Sequence, residues 1–383
     1  MLQYSLRRFC LRCSAGIVVL TLVAALPWGR SHARAAEAKP SSPVEWERVL
    51  DAARKEGKVV AAIPASAELR KNIEEVFKSR FPGIDVELVP SRGPANVNKI
   101  ISEHQADVRY FDLLISGTST PFAMLKLGLV EPFQPLMILP EVRDPKNWYG
   151  GHIWIDNTKR FIYSFQAYQS ENIWFNESLM KTEEIRSYDD LLLSNWKGRI
   201  GYLDPRTPGS GTATWAFLWK LKGEDYLRKL ARQDLYLSRD QRQLADSLAK
   251  GKVALTIGLT YYSFLPYIKA AVAIKPVPEP REGTYTSCGS GALSVVKNPP
   301  HPNATKLFVN WLLSKEGQET YGKAMGQATR RLDVDTKWLT QFGVKAAKDF
   351  LTVQEHYRLE NYGEETVTRI WDRSVDLAQE ILN

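Results

Sequence analysis

Cysteine is nearly absent from this chain. There are three in 383 residues, and Cys10 and Cys13 fall at the extreme N-terminus, leaving Cys288 alone in the body. One cysteine cannot close an internal disulfide, so the fold must be held by its hydrophobic core. Histidine is scarce too, five in all, and none stands in a His-Glu-x-x-His array; paired-cysteine metal spacings are missing as well. There is no Gly-x-Ser-x-Gly, which removes the nucleophile elbow of a secreted α/β-hydrolase, and no P-loop for nucleotide phosphates. No long Lys/Arg run is present, so nothing points to nucleic acid.

The first 35 residues hold Arg7, Arg8, Arg12, Arg30 and Arg34 and no acid, around an apolar run from Ala15 to Trp28. That run is shorter than the roughly 17–25 residues of a spanning helix. With Ala33-Arg34-Ala35 after it, it reads as a secretory signal peptide (residues 1–35) cleaved near Ala35. Cys10 and Cys13 precede the apolar run, the wrong side for a lipoprotein cysteine, and Arg7-Arg8 hints at twin-arginine export. Removing the leader takes five arginines and no acid, so the formal charge falls from +8 to +3. The remaining chain is long enough for two lobes with separate cores, and its expected location is the bacterial periplasm.

Beyond the leader the chain alternates strand and helix. A helix over 45–58 precedes a strand at Val59–Ile63; Ala67–Arg80 is a helix with Leu69, Ile73, Val76 and Phe77 in phase; Ile84–Val89 is the second strand. Asn96–Gln105 is helical, and Asp112–Ile115 forms a third strand before the polar loop Ser116–Thr120. This βαβαβ rhythm predicts a largely parallel sheet flanked by helices, with Ser66 and Ser116–Thr120 on one rim at the strands' carboxyl ends. Phe161–Phe175 reads as one long extended segment. A second α/β stretch then leads through Gly198–Tyr202 to the loop Asp204–Thr212, helices over 213–221, 224–232 and 240–250, and a strand at Val253–Ile257. Asn303–Tyr321 predicts one strong amphipathic helix, and 350–383 a charged helical segment.

After the Val253–Ile257 strand, Gly258 breaks the run and Tyr261-Tyr262 come next, at a strand's carboxyl end. Adjacent phenols there can bind a hard cation as phenolates, grip an organic ligand by stacking and hydrogen bonds, or pack one ring inward. Several stretches resemble the bacterial extracellular solute-binding proteins of ABC importers, in the branch that includes ferric-iron binders. They are Asp112–Thr118 with Leu125–Phe133, Tyr188–Leu192 with Trp196–Gly201, Gly251–Tyr262, and Leu312-Leu-Ser-Lys-Glu-Gly-Gln318. The resemblance covers roughly Trp46 to Tyr321. It implies the α/β, two-lobed type 2 periplasmic-binding-protein fold, each lobe a mostly parallel sheet with helices, the lobes joined by crossing strands and closing on a ligand by hinge motion. The lobes are expected at 40–160 plus 270–315 and at 161–269, with 316–383 a helical segment packing on them.

The resemblance further implies a monomeric receptor without catalysis, whose partner is an ABC permease in the inner membrane. In the ferric branch twin tyrosines ligate iron, and Tyr261 and Tyr262 match that position; Ser210-Gly211-Thr212 match the loop that holds a synergistic anion. Free amides at a helix start suit such an anion, and Arg206 in the same loop can add a bidentate contact. Ser66, Ser116 and Thr118 would close over the ligand from the first lobe. The family's His and Glu ligands have no counterpart here, where the matching loops read Pro64-Ala65-Ser66 and Ser116-Gly117-Thr118. The ligand is therefore expected to be either Fe3+ with a bound anion or a small anionic or polar metabolite, with Tyr267 as an extra candidate phenol. A secreted hydrolase or lyase using the same cleft, with Ser210 as nucleophile, is the enzymatic alternative. His104, His301 and His356 are expected to be exposed, His152 to pair with Asp156 or lie at the surface, Trp148, Tyr149 and Trp154 to pack the core, and Cys288 to be buried.

Overall fold

A computed structural model describes residues 43–382 apart from Pro208. The leader, with its cleavage site near Ala35, lies outside the described residues. The described residues form one compact unit. Its strands are β1 (Lys58–Pro64), β2 (Asp85–Ser91), β3 (Leu113–Ser116), β4 (Ile153–Trp154), β5 (Tyr163–Ser164), β6 (Tyr168–Ser170), β7 (Ile173–Asn176), β8 (Ile200–Leu203), β9 (Tyr236–Ser238), β10 (Leu255–Ile257), β11 (Ile274–Pro276), β12 (Ala292–Val295) and β13 (Val344–Ala346).

They build two large sheets, ordered β2-β1-β3-β12-β5-β4 and β11-β7-β10-β8-β9, plus the pair β13-β6. In the first sheet β1 runs parallel to both β2 and β3, so the turns after Pro64, Ser91 and Ser116 share one rim. In the second, β8 is parallel to β9 and β10, which puts the Asp204 loop and the Tyr261-Tyr262 turn on one rim. The five central residues of β1, Val59 to Ile63, are all buried, as a near-continuous apolar run in the middle of a covered parallel sheet should be.

The first-sheet core shows how local sequence dictates packing. Ser66 caps the helix Ala67–Arg80 by accepting the Leu69 N–H (3.1 Å), and Leu69, Ile73 and Phe77 recur every four residues on its buried face. Phe77 then packs on Phe81, Phe308 and Trp311. The carboxylate of the buried Asp112 accepts from the Val60 amide (2.8 Å) and the His301 amide (2.8 Å), with the His301 ring at 2.9 Å. It ties β1 to the start of the helix Pro302–Leu313. Burial pushes the Asp112 carboxyl upward, and its bonds to Val60 and His301 only partly offset this.

Two elements differ from their sequence expectation. The stretch 161–175 is not one extended segment: β5, β6 and β7 belong to three different sheets, and Ser164 donates its hydroxyl to the Gln166 carbonyl (2.9 Å) where the chain leaves the first sheet. β5 and β12 pair in the first sheet and β7 and β11 in the second, so the chain passes between the two sheets within 165–172 and again within 277–291. The helix expected over 303–321 is two helices, Pro302–Leu313 and Lys315–Met325. Ser314 breaks it by capping the second through Gly317 N–H (3.3 Å), and a Cβ on Gly317 would lie 2.1 Å from the Trp311 carbonyl oxygen. The Leu-Leu-Ser-Lys-Glu-Gly-Gln stretch is therefore a helix corner, closed by Gln318 Nε2 donating to Leu312 O (2.8 Å).

The histidines also differ. His356 is fully buried rather than exposed; its Nε2 pairs with the Tyr362 hydroxyl (2.7 Å) and its Nδ1 has no partner. His104 is half-buried. His152 does not pair with Asp156: its ring bonds Tyr163 Oη (3.1 Å) and Arg143 O (2.8 Å), while Asp156 accepts the amides of Arg160, Phe161 and Ile162. Trp148 and Tyr149 are core residues, and Trp154 packs half-buried against the first core.

Burial, reinforced by the nearby Arg330 cation, pushes the His356 imidazole down to about 4. The folded state therefore excludes a proton that the unfolded chain takes up near pH 6.5. The stability from neutral His356 is fully present above pH 6.5 and lost as pH falls towards 4, about 3 kcal/mol in all. His356→Phe should remove most of this acid sensitivity, read as the difference between chemical denaturation at pH 7 and pH 4.5. Equal acid sensitivity in wild type and variant would refute the assignment.

Candidate functional site

The helix Ser210–Lys222 starts directly after the Asp204 loop, and its start is built by close approach. A Cβ on Gly211 would stand 2.1 Å from the Leu203 carbonyl oxygen, and one on Gly258 2.9 Å from the Gly211 Cα. Glycine at both places lets the ends of β8 and β10 press against the helix N-terminus. The first backbone bond at this end runs from Ala213 N–H to Gly209 O (3.0 Å). The amides of Ser210, Gly211 and Thr212 thus belong to the first turn, where the helix itself supplies no acceptor. The Ser210 hydroxyl is buried and has no partner.

The other loop residues brace this turn. Thr212 Oγ1 shares its one proton between the Thr207 (2.6 Å) and Pro205 (2.9 Å) carbonyls. Arg206 is used differently from its expected role as an anion contact. Its Nε and Nη2 grip Asp204 at 2.8 and 3.0 Å, and Nη1 donates to Leu382 O at 2.7 Å. Burial opposes ionisation of Asp204, but the bonds from Arg206 and Arg239 outweigh it and hold its carboxyl below the usual range. The C-terminal segment adds support that no sequence signal announced. Trp215 Nε1 donates to Ser374 O (3.1 Å), and Asn361 Nδ2 to Ala213 O (3.1 Å).

The helix faces the first lobe. Ala213 and Ala216 pack in one cluster with Phe122, Tyr285, Cys288 and Ala292, and Ser210 lies one turn before Ala213 on that side. Thr118, expected to close from the first lobe, bonds Cys288 (Oγ1···Sγ 2.8 Å) in this region. Cys288 is buried as expected, and burial pushes its thiol up to about 12, so it is not a reactive thiolate. Gly117 stands against the Gly289 carbonyl, 3.7 Å from where its own Cβ would be. The Ser116 hydroxyl turns to its neighbour, Gly117 O (3.1 Å). Ser66 lies apart from this cluster, in a groove of about 650 Å³ between the helix Ala67–Arg80 and Arg242 of the second lobe. That groove's Arg70, Lys71, Lys78 and Arg242 outnumber its two carboxylates, Glu74 and Glu75. Nearby, Arg92 reaches Asp240 across the lobes at 3.6 Å.

Tyr261 and Tyr262 occupy a short 3-10 turn between the lobes, but their rings go different ways. Tyr261 is nearly buried, its ring tilted against Phe342 (4.9 Å between centroids) and Trp174 (6.2 Å). It also presses on Gly326, whose Cβ would fall 2.1 Å from a ring carbon. Burial pushes the Tyr261 phenol well above its ordinary value, opposing phenolate formation. Tyr262 packs half-buried on the first-lobe core, and its hydroxyl accepts from Gln241 Nε2 (3.1 Å). Gln241 was not legible as a site residue; its Oε1 also takes the Thr260 amide (3.0 Å), the Thr260 hydroxyl (2.8 Å) and the Ser263 hydroxyl (2.8 Å), which fixes the turn. Tyr267 stands outside this arrangement, at 3.5 Å from Asp246. Among the described residues no group of three or more His, Cys, Asp or Glu could hold a metal ion, and no helix is long and apolar enough to cross a membrane.

Residues 62–319 match the sequence model of the family described as bacterial extracellular solute-binding protein. An uncharacterised protein of Haemophilus influenzae is 25% identical over 282 residues, which are 71% of this chain and 77% of that one. The fold is similar to the periplasmic binding protein AfuA of Actinobacillus pleuropneumoniae, solved with exogenous fructose-6-phosphate (TM-score 0.63, 23% identity, 84% of this chain and 99% of that one). It is similar to iron-bound HitA of Pseudomonas aeruginosa (TM-score 0.62, 18% identity, 85% and 99%). It is similar again to a ferric binding protein of Campylobacter jejuni (TM-score 0.64, 16% identity, 84% and 99%). The two-lobed type 2 periplasmic-binding fold is thereby established, and the function is binding rather than catalysis. With the family pattern running from β1 into the helix Lys315–Met325, the chain belongs to the bacterial extracellular solute-binding proteins.

Proposed function

We propose that this protein is the periplasmic receptor of an ABC importer and that its cargo is a small organic anion seated at the start of the helix Ser210–Lys222. The Ser210 hydroxyl carries this reading: it is buried without a partner in the first turn of a 13-residue helix, beside amides that the helix leaves free. An anionic group there gains the Ser210 O–H, the amides and the positive end of the helix dipole. Thr118 and the Ser287–Ser290 turn would meet the solute from the first lobe. Hinge closure brings the lobes together, and the Arg92–Asp240 contact is made only when they are close. The closed form is what a membrane permease would recognise. Solved proteins of this fold include one bound to a sugar phosphate and one bound to iron. Ferric iron is the less favoured cargo because the Tyr261 ring is packed against Phe342 and Trp174 while Tyr262 turns to Gln241, so the two phenols do not converge.

The test is calorimetric titration of the mature chain with a panel of sugar phosphates and hydroxycarboxylates, alongside ferric citrate. At ~100 times its dissociation constant a true cargo also stabilises by about 2.7 kcal/mol. Ser210→Ala should weaken the best anion by about 10-fold or more, the worth of one charge-assisted hydrogen bond. Unchanged anion affinity in Ser210→Ala, with ferric binding abolished by Tyr261→Phe, would replace this reading with the iron one.

A further inference from the structure

Two buried amides beside the Ser287–Gly291 turn each keep one polar atom that the fold leaves unmatched. Gln327 is 2% exposed; its Oε1 accepts the Ser290 N–H (3.0 Å), which fixes the direction of the amide, and its Nε2 donor has no partner. Gln166 is 1% exposed, and its Oε1 acceptor has no partner. Both surround the glycine-rich turn Ser287–Gly291. A Cβ on Gly289 would lie 2.8 Å from Gln327 Oε1 and 2.3 Å from the Tyr168 hydroxyl, and one on Gly291 2.7 Å from the Gln166 Cγ. Gly289 also has φ +54°, so glycine is required there twice over.

This turn packs beside the Ser210 helix, since Cys288 shares one cluster with Ala213 and Ala216. Cys288 bonds Thr118 of the first-lobe loop, and Tyr321 Oη donates to Ser290 O (2.9 Å). From the second lobe, the Tyr261 ring seats on Gly326, the residue before Gln327. An interior required only to be stable would satisfy such amides or carry apolar residues of the same size. A buried donor and a buried acceptor left unmatched around one turn can both be satisfied by a polar solute that carries hydroxyl groups.

We propose that Gln327 and Gln166 read the hydroxyl groups of the cargo, making it a hydroxylated organic anion. Gln327 Nε2 donates to a solute oxygen, and Gln166 Oε1 accepts from a solute hydroxyl. A hydroxyl group is both donor and acceptor and so complements the pair. Inorganic phosphate can satisfy the Ser210 end but lacks the carbon-borne hydroxyls. This assignment rests on the anion reading of the Ser210 helix start.

Titrations of the mature chain with glucose 6-phosphate, glycerol 3-phosphate, citrate and inorganic phosphate test it, using Gln327→Met, Gln166→Met and Ser210→Ala. The wild type should bind at least one hydroxylated anion about 100-fold more tightly than inorganic phosphate, since a site built around buried hydrogen bonds rejects analogues that lack them. Each glutamine variant should lose about 10-fold or more for that anion and change inorganic phosphate by less than about twofold. Ser210→Ala should weaken both ligands. Glutamine variants that bind the hydroxylated anion as wild type does, or that weaken both ligands equally, overturn the hydroxyl-reading role while leaving the Ser210 site standing. Ser210→Ala without effect on either ligand sinks the underlying anion site instead. A wild type that binds none of the hydroxylated anions overturns both. Gln166→Met keeps the Ser290–Gln327 bond, so the role remains testable if Gln327→Met fails to fold.

Discussion

Gly211→Ala should reduce binding of the anionic cargo by about 100-fold or more, equivalent to about 2.7 kcal/mol. The added methyl would sit 2.1 Å from the Leu203 carbonyl oxygen and 2.9 Å from its carbonyl carbon. Both are backbone atoms of β8, which is paired on one side with β9 and on the other with β10. No flexible side chain can give way, so the helix N-terminus must move off the strand end. That displaces the Ser210 hydroxyl and the first-turn amides together, which is why one methyl should cost more than loss of the hydroxyl in Ser210→Ala. Overpacking should also lower stability by about 1–3 kcal/mol. Titration at a temperature where circular dichroism shows the variant folded separates the two effects. Wild-type affinity in a folded Gly211→Ala protein would mean that this helix start does not touch the cargo.

Arg330→Met should destabilise the fold by about 4 kcal/mol, enough to remove much of the margin of a typical domain. Arg330 is fully buried, and its acceptors are all backbone carbonyls. Nε and Nη2 donate to Ser164 O, the former at 2.9 Å, and Nη1 donates to Tyr149 O and Gly151 O, both at 2.7 Å. The guanidinium also lies over the rings of Trp148 (5.7 Å) and Tyr163 (5.5 Å). Ser164 ends β5, the point where the chain leaves the first sheet for β6 and β7, so the cation clamps the root of a crossing strand. Methionine preserves much of the volume but removes the donors of the buried Ser164 and Tyr149 carbonyls, each costing about 1–3 kcal/mol, and of the part-buried Gly151 carbonyl. Urea denaturation of the variant measures the loss. A change below about 1 kcal/mol would show that water or a shifted side chain takes over the carbonyls.

The parts of this architecture that could be read in advance were those written locally. Ala67–Arg80 was legible to the residue because Ser66 is a cap and Leu69, Ile73 and Phe77 keep helical phase. The parallel β1, β2 and β3 came from apolar runs separated by amphipathic helices, and with them the shared rim. The helix over 303–321 was misjudged because its apolar phase continues through Ser314, and only Gly317 against Trp311 O reveals the corner. Burial of His356 depends on the long-range packing of the C-terminal segment, which leaves no periodic trace. The same holds for Arg206, whose Asp204 partner is two residues away but whose Leu382 contact spans the chain.

In the candidate site, Ser210–Thr212, Thr118 and the Tyr261-Tyr262 turn were marked by residue type and by position after strands. The divergence of the two phenols was not, because neighbouring residues in a tight turn point according to what they pack against. Tyr261 found Phe342 and Gly326, which lie far along the sequence. Gln241, Gln166 and Gln327 gave no signal at all. These three glutamines belong to no motif, and their importance emerges only from which amide atoms the fold bonds or leaves unmatched.

Native mass spectrometry and metal analysis of the protein taken gently from the periplasm test the central claim most directly. A cargo held at Ser210–Thr212 and read by Gln166 and Gln327 predicts a co-purifying hydroxylated organic anion, iron well below one per chain, and a colourless protein. Stoichiometric iron, with the visible absorption of a ferric phenolate that disappears in Tyr261→Phe, would contradict it.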